Sequence, residues 1–331
     1  MPRYSPRTRN VSKVIAILTA VLIFVSGCAS SPPNAASPSD GLKGNITVSG
    51  AWALYPMMVR WAEEFQKIHR EVRIDISAGG AGKGVADALG GLADIGMVSR
   101  DISPSEIEQG GFYISVVKDA VVPTASADNP FKNEITARGI KRDDFVRIWT
   151  TGDVKDWREI FLTSSIGGET ALHVYTRSDA CGAGDIWAKY LGKKQEDLHG
   201  VGIYGDPGIA EAVAKDKLGI GYNNIGYAYD ITTGNPVPGL VIIPIDLNGN
   251  NRIDPDENFY GTSKEITEAI SKGEYPSPPA RELYLLTLKS FNGASREFVR
   301  WILTDGQKYV EEAGYIQLPP DRINQELEKL S

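Results

Sequence analysis

Cysteine and histidine are scarce, with two and three copies in 331 residues. Cys28 closes an N-terminal apolar stretch and Cys181 lies mid-chain, so no intrachain disulfide is expected. His69, His173 and His199 all stand apart from Cys181 in sequence, which leaves a thiol nucleophile there without an adjacent base. Positive charge is also short: 35 basic residues against 42 acidic ones give a formal net charge of -7. That balance argues against a nucleic-acid partner, because gripping a phosphate backbone needs a surplus of lysine and arginine. It leaves room for a small anion, whose site is set by local donors. The glycine-rich loops lack the spacing of the nucleoside-triphosphate loop and of the dinucleotide fingerprint, which disfavours nucleotides. The apolar run Val14–Val25 is short for a membrane-spanning helix.

That run has a different use. Arg3, Arg7, Arg9 and Lys13 precede it and Ser26-Gly27-Cys28 ends it, the layout of a secretory signal. The ending resembles the lipobox of bacterial-type lipoproteins, which implies cleavage before Cys28 and lipidation of its thiol. Residues 1–27 are then a signal peptide. Residues 28–44, rich in Ser, Pro and Ala, read as a flexible tether that stands the protein off a membrane outside the cytoplasm.

From Asn45 short apolar strands alternate with amphipathic helices, the pattern of an α/β fold. Ile46–Ser49 reads as a first strand, and Met58, Trp61, Ala62, Phe65 and Ile68 as the core face of the helix after it. Val72–Ser77 and residues 93–100 read as the next strands. At Tyr175–Trp187 the chain passes from strand end through Arg177, a Ser-Asp pair and two glycines into a helix. A helix N-terminus offers unpaired N–H groups and the positive end of its dipole, glycine lets a ligand approach the backbone, and arginine supplies a fork of donors. In open α/β sheets ligands gather at the carboxyl ends of strands, so the loops at 49–54, 77–84, 99–100 and 177–184 are expected to face one crevice.

Read in order, Ser-Gly-Ala-Trp-Ala-Leu-Tyr-Pro from Ser49, Ser-Ala-Gly-Gly-Ala-Gly-Lys-Gly from Ser77, Ala-Asp-Ile-Gly-Met-Val-Ser-Arg from Ala93 and Thr-Arg-Ser-Asp-Ala-Cys-Gly-Ala from Thr176 resemble the phosphate-binding lipoproteins of ABC importers. Gly219-Ile220-Gly221-Tyr222 and Gly273-Glu274-Tyr275-Pro276 with Arg281 extend the likeness over residues 45–318. The resemblance implies an α/β, two-domain type II periplasmic-binding-protein fold with two crossover segments and a ligand cleft between the domains. Crossings near 122–126 and 236–245 put 45–122 and 245–331 in one domain and 123–244 in the other. It also implies a monomer that hands its ligand to importer membrane subunits. The ligand residues it points to are Ala53 and Leu54; Ser77, Gly80, Ala81 and Gly82; Ser99 and Arg100; Arg177, Asp179, Cys181, Gly182 and Ala183; and Asn223. Departures from the family fall in these loops: Ala51, Leu54, Ala81, Cys181 and Ala183 stand where hydroxyl donors are usual. The ligand is therefore phosphate, a related small oxyanion, or a different anionic metabolite. A thiol enzyme using Cys181 at its helix N-terminus is the rival reading.

A second motif runs from Asp246 to Glu257. Asp246, Asn248, Asn250, Arg252 (through its carbonyl), Asp254 and Glu257 take the ligand positions of an EF-hand-like calcium loop, with Asn251 in place of the usual glycine. A structural Ca2+ is expected there, the alternative being an Asx-rich turn without metal. From Ser263 onward the chain reads as mostly helical, and residues 326–331 as a fraying end.

Overall fold

The computed structural model describes residues 41–163 and 166–331, so the signal segment and Cys28 lie outside the described residues. Strand β1 (Lys43–Gly50) begins inside the expected tether. It is followed by α1 (Tyr55–Ile68), β2 (Glu71–Ala78), α2 (Ala81–Leu89), β3 (Ile95–Val98), α3 (Pro104–Glu108) and the long β4 (Gly111–Ser126). Then come α4 (Lys132–Arg138), β5 (Ile140–Lys141), α5 (Arg142–Val146), α6 (Trp157–Phe161), β6 (His173–Arg177), α7 (Gly182–Tyr190), β7 (Val201–Ile203) and α8 (Gly205–Lys215). The chain closes with β8 (Gly219–Asn224), α9 (Ile225–Ala228), β9 (Leu240–Ile242), β10 (Ile245–Asp246), α10 (Ser263–Lys272), β11 (Ala280–Leu288), α11 (Gly293–Leu303) and α12 (Pro320–Lys329).

One sheet runs β2-β1-β3-β11-β4-β8-β6-β7, with β9 also on β4. Parallel pairs sit at its two ends, β1 with β2 and β3, and β6 with β7 and β8, while β11 and β4 run antiparallel through the middle. Pairing along β4 changes hands: residues up to Ala120 face β11, and Val121–Ala125 face β8. The buried apolar residues divide at the same place. One core holds residues from Ile46 to Val117 and from Leu283 to Leu330; the other holds residues from Ala120 to Ala280, with Ile316. The chain thus forms two lobes joined through β4 and the entry to β11.

Four expectations need correction. Ile245, Phe259, Tyr260, Ile266 and Tyr275 are buried in the second core, so the return crossing lies at Ala280–Leu283, not at 236–245. β11 itself was not expected in a region read as helical. Its Leu, Glu and Arg are good helix formers, but Leu283, Leu285 and Leu286 are buried in the sheet centre between β3 and β4, and tertiary burial overrides propensity. The C-terminus does not fray. Glu326 is 0% exposed, accepts the Ser115 N–H at 3.2 Å and pairs with Arg322 and Lys329 one turn away on either side, so α12 is docked on β4 by a buried carboxylate. On α1, Trp61 and Phe65 are buried as the spacing predicts, but Ile68 in the last turn is 58% exposed.

Candidate functional site

The four loops meet between the lobes. On the first lobe, the N-terminus of α2 has no side-chain cap, and the Gly82 N–H donates across the gap to the Ala180 carbonyl at 3.2 Å. Gly80 has φ +93, and a Cβ there would stand 2.8 Å from the Ala180 oxygen and 3.0 Å from Asp179 Oδ2. Only glycine meets both demands. Gly182, at the start of α7, lies against Ser99 so closely that a Cβ would come within 2.1 Å of its carbonyl oxygen. Trp52, in the first loop, rests on Gly205 of the second lobe and meets the Tyr204 ring edge-on at 6.1 Å; its carbonyl accepts from Tyr227 Oη. Ala53, Leu54 and Ala81 are buried beside these contacts.

Other expected residues are occupied elsewhere. Ser77 is exposed and donates to the Val48 carbonyl at 3.4 Å. Asn223 is spent inside the second lobe, donating to the Asp206 carbonyl at 3.0 Å and accepting from Thr124 Oγ1 at 3.2 Å. Arg100 forks onto Glu106 at 2.7 and 3.0 Å, the same glutamate that closes the capping box of α3, and this bond raises its pKa.

Arg177 is the most enclosed cation, its side chain 0% exposed. It donates from Nε and Nη2 to Asp179 at 2.8 and 2.6 Å and from Nη1 to Asp206 at 2.5 Å. Burial opposes its charge, but Asp206 and its other neighbours outweigh that and raise its pKa. Asp179 also accepts the Gly205 N–H at 3.2 Å, and Asp206 accepts the Asn224 N–H at 2.9 Å. One guanidinium between two carboxylates is a cluster of net charge -1, so the expected arginine is present but already neutralised by its own protein.

Residues 35–305 match the model of the PBP superfamily domain. The chain belongs to the PBP (periplasmic-binding-protein) superfamily. It is similar to the phosphate-binding protein PstS of Bacillus subtilis strain 168, 23% identical over 329 residues that span 96% of this chain and 97% of that protein. The PstS of Methanocaldococcus jannaschii is 24% identical over 376 residues, 94% of this chain and 93% of that protein. Among solved structures it resembles a phosphate ABC transporter substrate-binding protein of Clostridium perfringens with bound phosphate, at a TM-score of 0.67, 21% identity and coverage of 83% of this chain and 100% of that one. An ABC-type phosphate transport receptor of Vibrio cholerae gives 0.59 at 18% identity, with coverage of 83% and 100%. These likenesses show the fold, the two-lobed type II binding-protein architecture with its cleft at the lobe junction.

Within this PBP superfamily member the thiol-enzyme reading loses its chemistry. Cys181 is 5% exposed, and burial pushes its thiol up to about 12, against the smaller opposing effect of Arg177. Its sulfur caps α7, accepting the Gly184 N–H at 3.3 Å, while His173 is engaged with Asp216 at 2.7 Å. A protonated capping thiol is not a nucleophile.

The calcium-type loop has the expected backbone, with Asn251 at φ +61. Asp246 accepts the N–H groups of Gly249, Asn250 and Asn251, and Glu257 those of Leu247, Asn248 and Asp254. Asn248 and Asn250 turn their amide nitrogens to Asp254 Oδ2, and Arg252 engages Oδ1 of the same carboxylate. Among the described residues no group of three His, Cys, Asp or Glu side chains could hold a metal unaided. A cation here would need both asparagine amides turned over to present oxygen.

Asp119 and Asp206 lie outside the residues the loop motifs single out, and Arg281 enters the sequence reading only beside the Gly273–Pro276 block. A signal existed for Asp119, an acid inside the apolar strand Val116–Val122, and for Asp206, between a glycine and a proline at a helix start. Their partners are far away in the chain and were not readable.

Proposed function

We propose that the protein is the extracytoplasmic substrate-binding component of an ABC importer and captures phosphate or a related small oxyanion between its lobes. What supports this most is the meeting of the 80–82 loop with 179–182 and of Ser99 with Gly182. Loops from both lobes there bring the N-termini of α2 and α7 against each other, and the unpaired N–H groups and dipole of a helix N-terminus favour an anion. The names of the relatives point the same way. Five expected hydroxyl positions are Ala51, Leu54, Ala81, Cys181 and Ala183. At about 1 kcal/mol for each lost donor, three uncompensated losses weaken phosphate binding by roughly 100-fold. Calorimetry of the delipidated protein against phosphate, sulfate, molybdate and short carboxylates tests the reading. Tightest binding of phosphate supports it, preference for a carboxylate moves the ligand to an anionic metabolite, and silence towards all of them removes the function.

In this reading Cys28 carries a lipid anchor and the protein meets its importer at the membrane surface. The mature chain should have the mass of residues 28–331 plus lipid, and Cys28→Ser should be released from membranes or left unprocessed. Unchanged fractionation and mass would contradict the anchor. Calcium in the 246–257 loop acts as a structural brace that binds the folded form, stabilising it by about 2.7 kcal/mol at a hundredfold excess over the Kd and so raising the melting temperature. Asp246→Ala should lose that response. A melt indifferent to calcium after chelation would remove the metal.

A further inference from the structure

Arg281, on β11, stands directly opposite Asp119 on β4, where the two strands pass between the lobes. The side chains are 4% and 1% exposed and form an ion pair at 3.5 Å. Arg281 Nη2 donates to Asn224 Oδ1, but its Nε and Nη1 have no partner. Buried charged donors without acceptors are costly, and a completed structure supplies them. The position is next to the cleft: Asn224 gives its N–H to Asp206, which holds Arg177, and the charges of Asp119, Asp206 and Asp185 act on Arg281.

The cations nearer the loops have no charge to spare. Arg177 is outnumbered by Asp179 and Asp206, Arg100 is forked onto Glu106, and Lys83 is paired with Asp87. We infer that Arg281, at the junction of the lobes, is the residue that takes up the charge of the bound anion, with its unpartnered guanidinium N–H groups as donors. The inference rests on the reading of the cleft as an anion site and adds to it the cation that the loop motifs lack. Asp119 fits this role for Arg281, because burial pushes its carboxyl up to about 7, so near neutrality the pair can carry net positive charge. Burial also lowers the pKa of Arg281, an effect that an anion beside it reverses.

The test is calorimetry of the full processed protein with inorganic phosphate. Arg281→Gln should bind at least 100-fold more weakly and Arg281→Lys should recover part of the loss, with unliganded melting curves confirming that both are folded. A folded Arg281→Gln protein with wild-type affinity overturns the inference and leaves the anion-binding function standing. Should Arg281→Gln not fold, Asp119→Asn decides. Asp119 faces Arg281 and lies within the field of Asp206, Tyr227 and Tyr315. Removing its charge should tighten phosphate binding several-fold at pH 8, where the wild-type carboxyl is ionised, and unchanged or weaker binding there overturns the assignment. A wild-type protein that binds no anion overturns this inference together with the proposed function.

Discussion

Gly182→Ala should weaken anion binding by at least 100-fold while leaving the unliganded protein folded. The added methyl would sit 2.1 Å from the Ser99 carbonyl oxygen, 2.2 Å from its Oγ and 2.5 Å from its carbonyl carbon. Two of those atoms are backbone, so no rotamer relieves the clash, and the lobes must stand apart at their closest point of contact. Within α7 itself alanine is the better helix former and the position has no left-handed φ. The substitution therefore acts on closure: a ligand that needs donors from both lobes loses one set. Calorimetry with phosphate and a melting curve without it separate the two effects. Undiminished affinity would mean that the liganded form does not make this contact.

Asp206→Ala should cost about 3 kcal/mol or more of stability, the range for breaking a buried ion pair. In a chain of this size that lowers the melting temperature by roughly 4–5 °C or more. Asp206 and Arg177 are both 0% exposed, so the Arg177 Nη1 that Asp206 held cannot turn to water, and the Asn224 N–H loses its acceptor too. Asp206→Asn keeps an acceptor oxygen and should cost less. A melt of the alanine variant indistinguishable from wild type would show that Asp179 alone suffices for Arg177.

The parts of the molecule readable from sequence are those set by local rules. Strand-loop-helix alternation and glycine placement located the four loops, and Gly80 and Gly182 are glycines because the opposite lobe comes against them. The loops also revealed their missing hydroxyls. Long-range pairing was not readable. Arg177 reads as a free anion ligand until Asp206 is folded beside it, and Arg100 until Glu106 caps α3. Asp119 and Arg281 become neighbours only through the register of β4 on β11. The same limit hid β11, whose composition suits a helix as well as a strand, and the docking of α12, where a polar segment buries one carboxylate among its own cations. Except for Arg100 and Glu106, six residues apart, the deciding contact joins residues far apart in the chain.

The central claim is that a small oxyanion is captured between two lobes that close upon it. Small-angle X-ray scattering of the delipidated protein, titrated with phosphate, tests capture and closure together. The radius of gyration should fall on saturation, and Gly182→Ala should not contract. Wild-type curves that superimpose with and without saturating phosphate would contradict it.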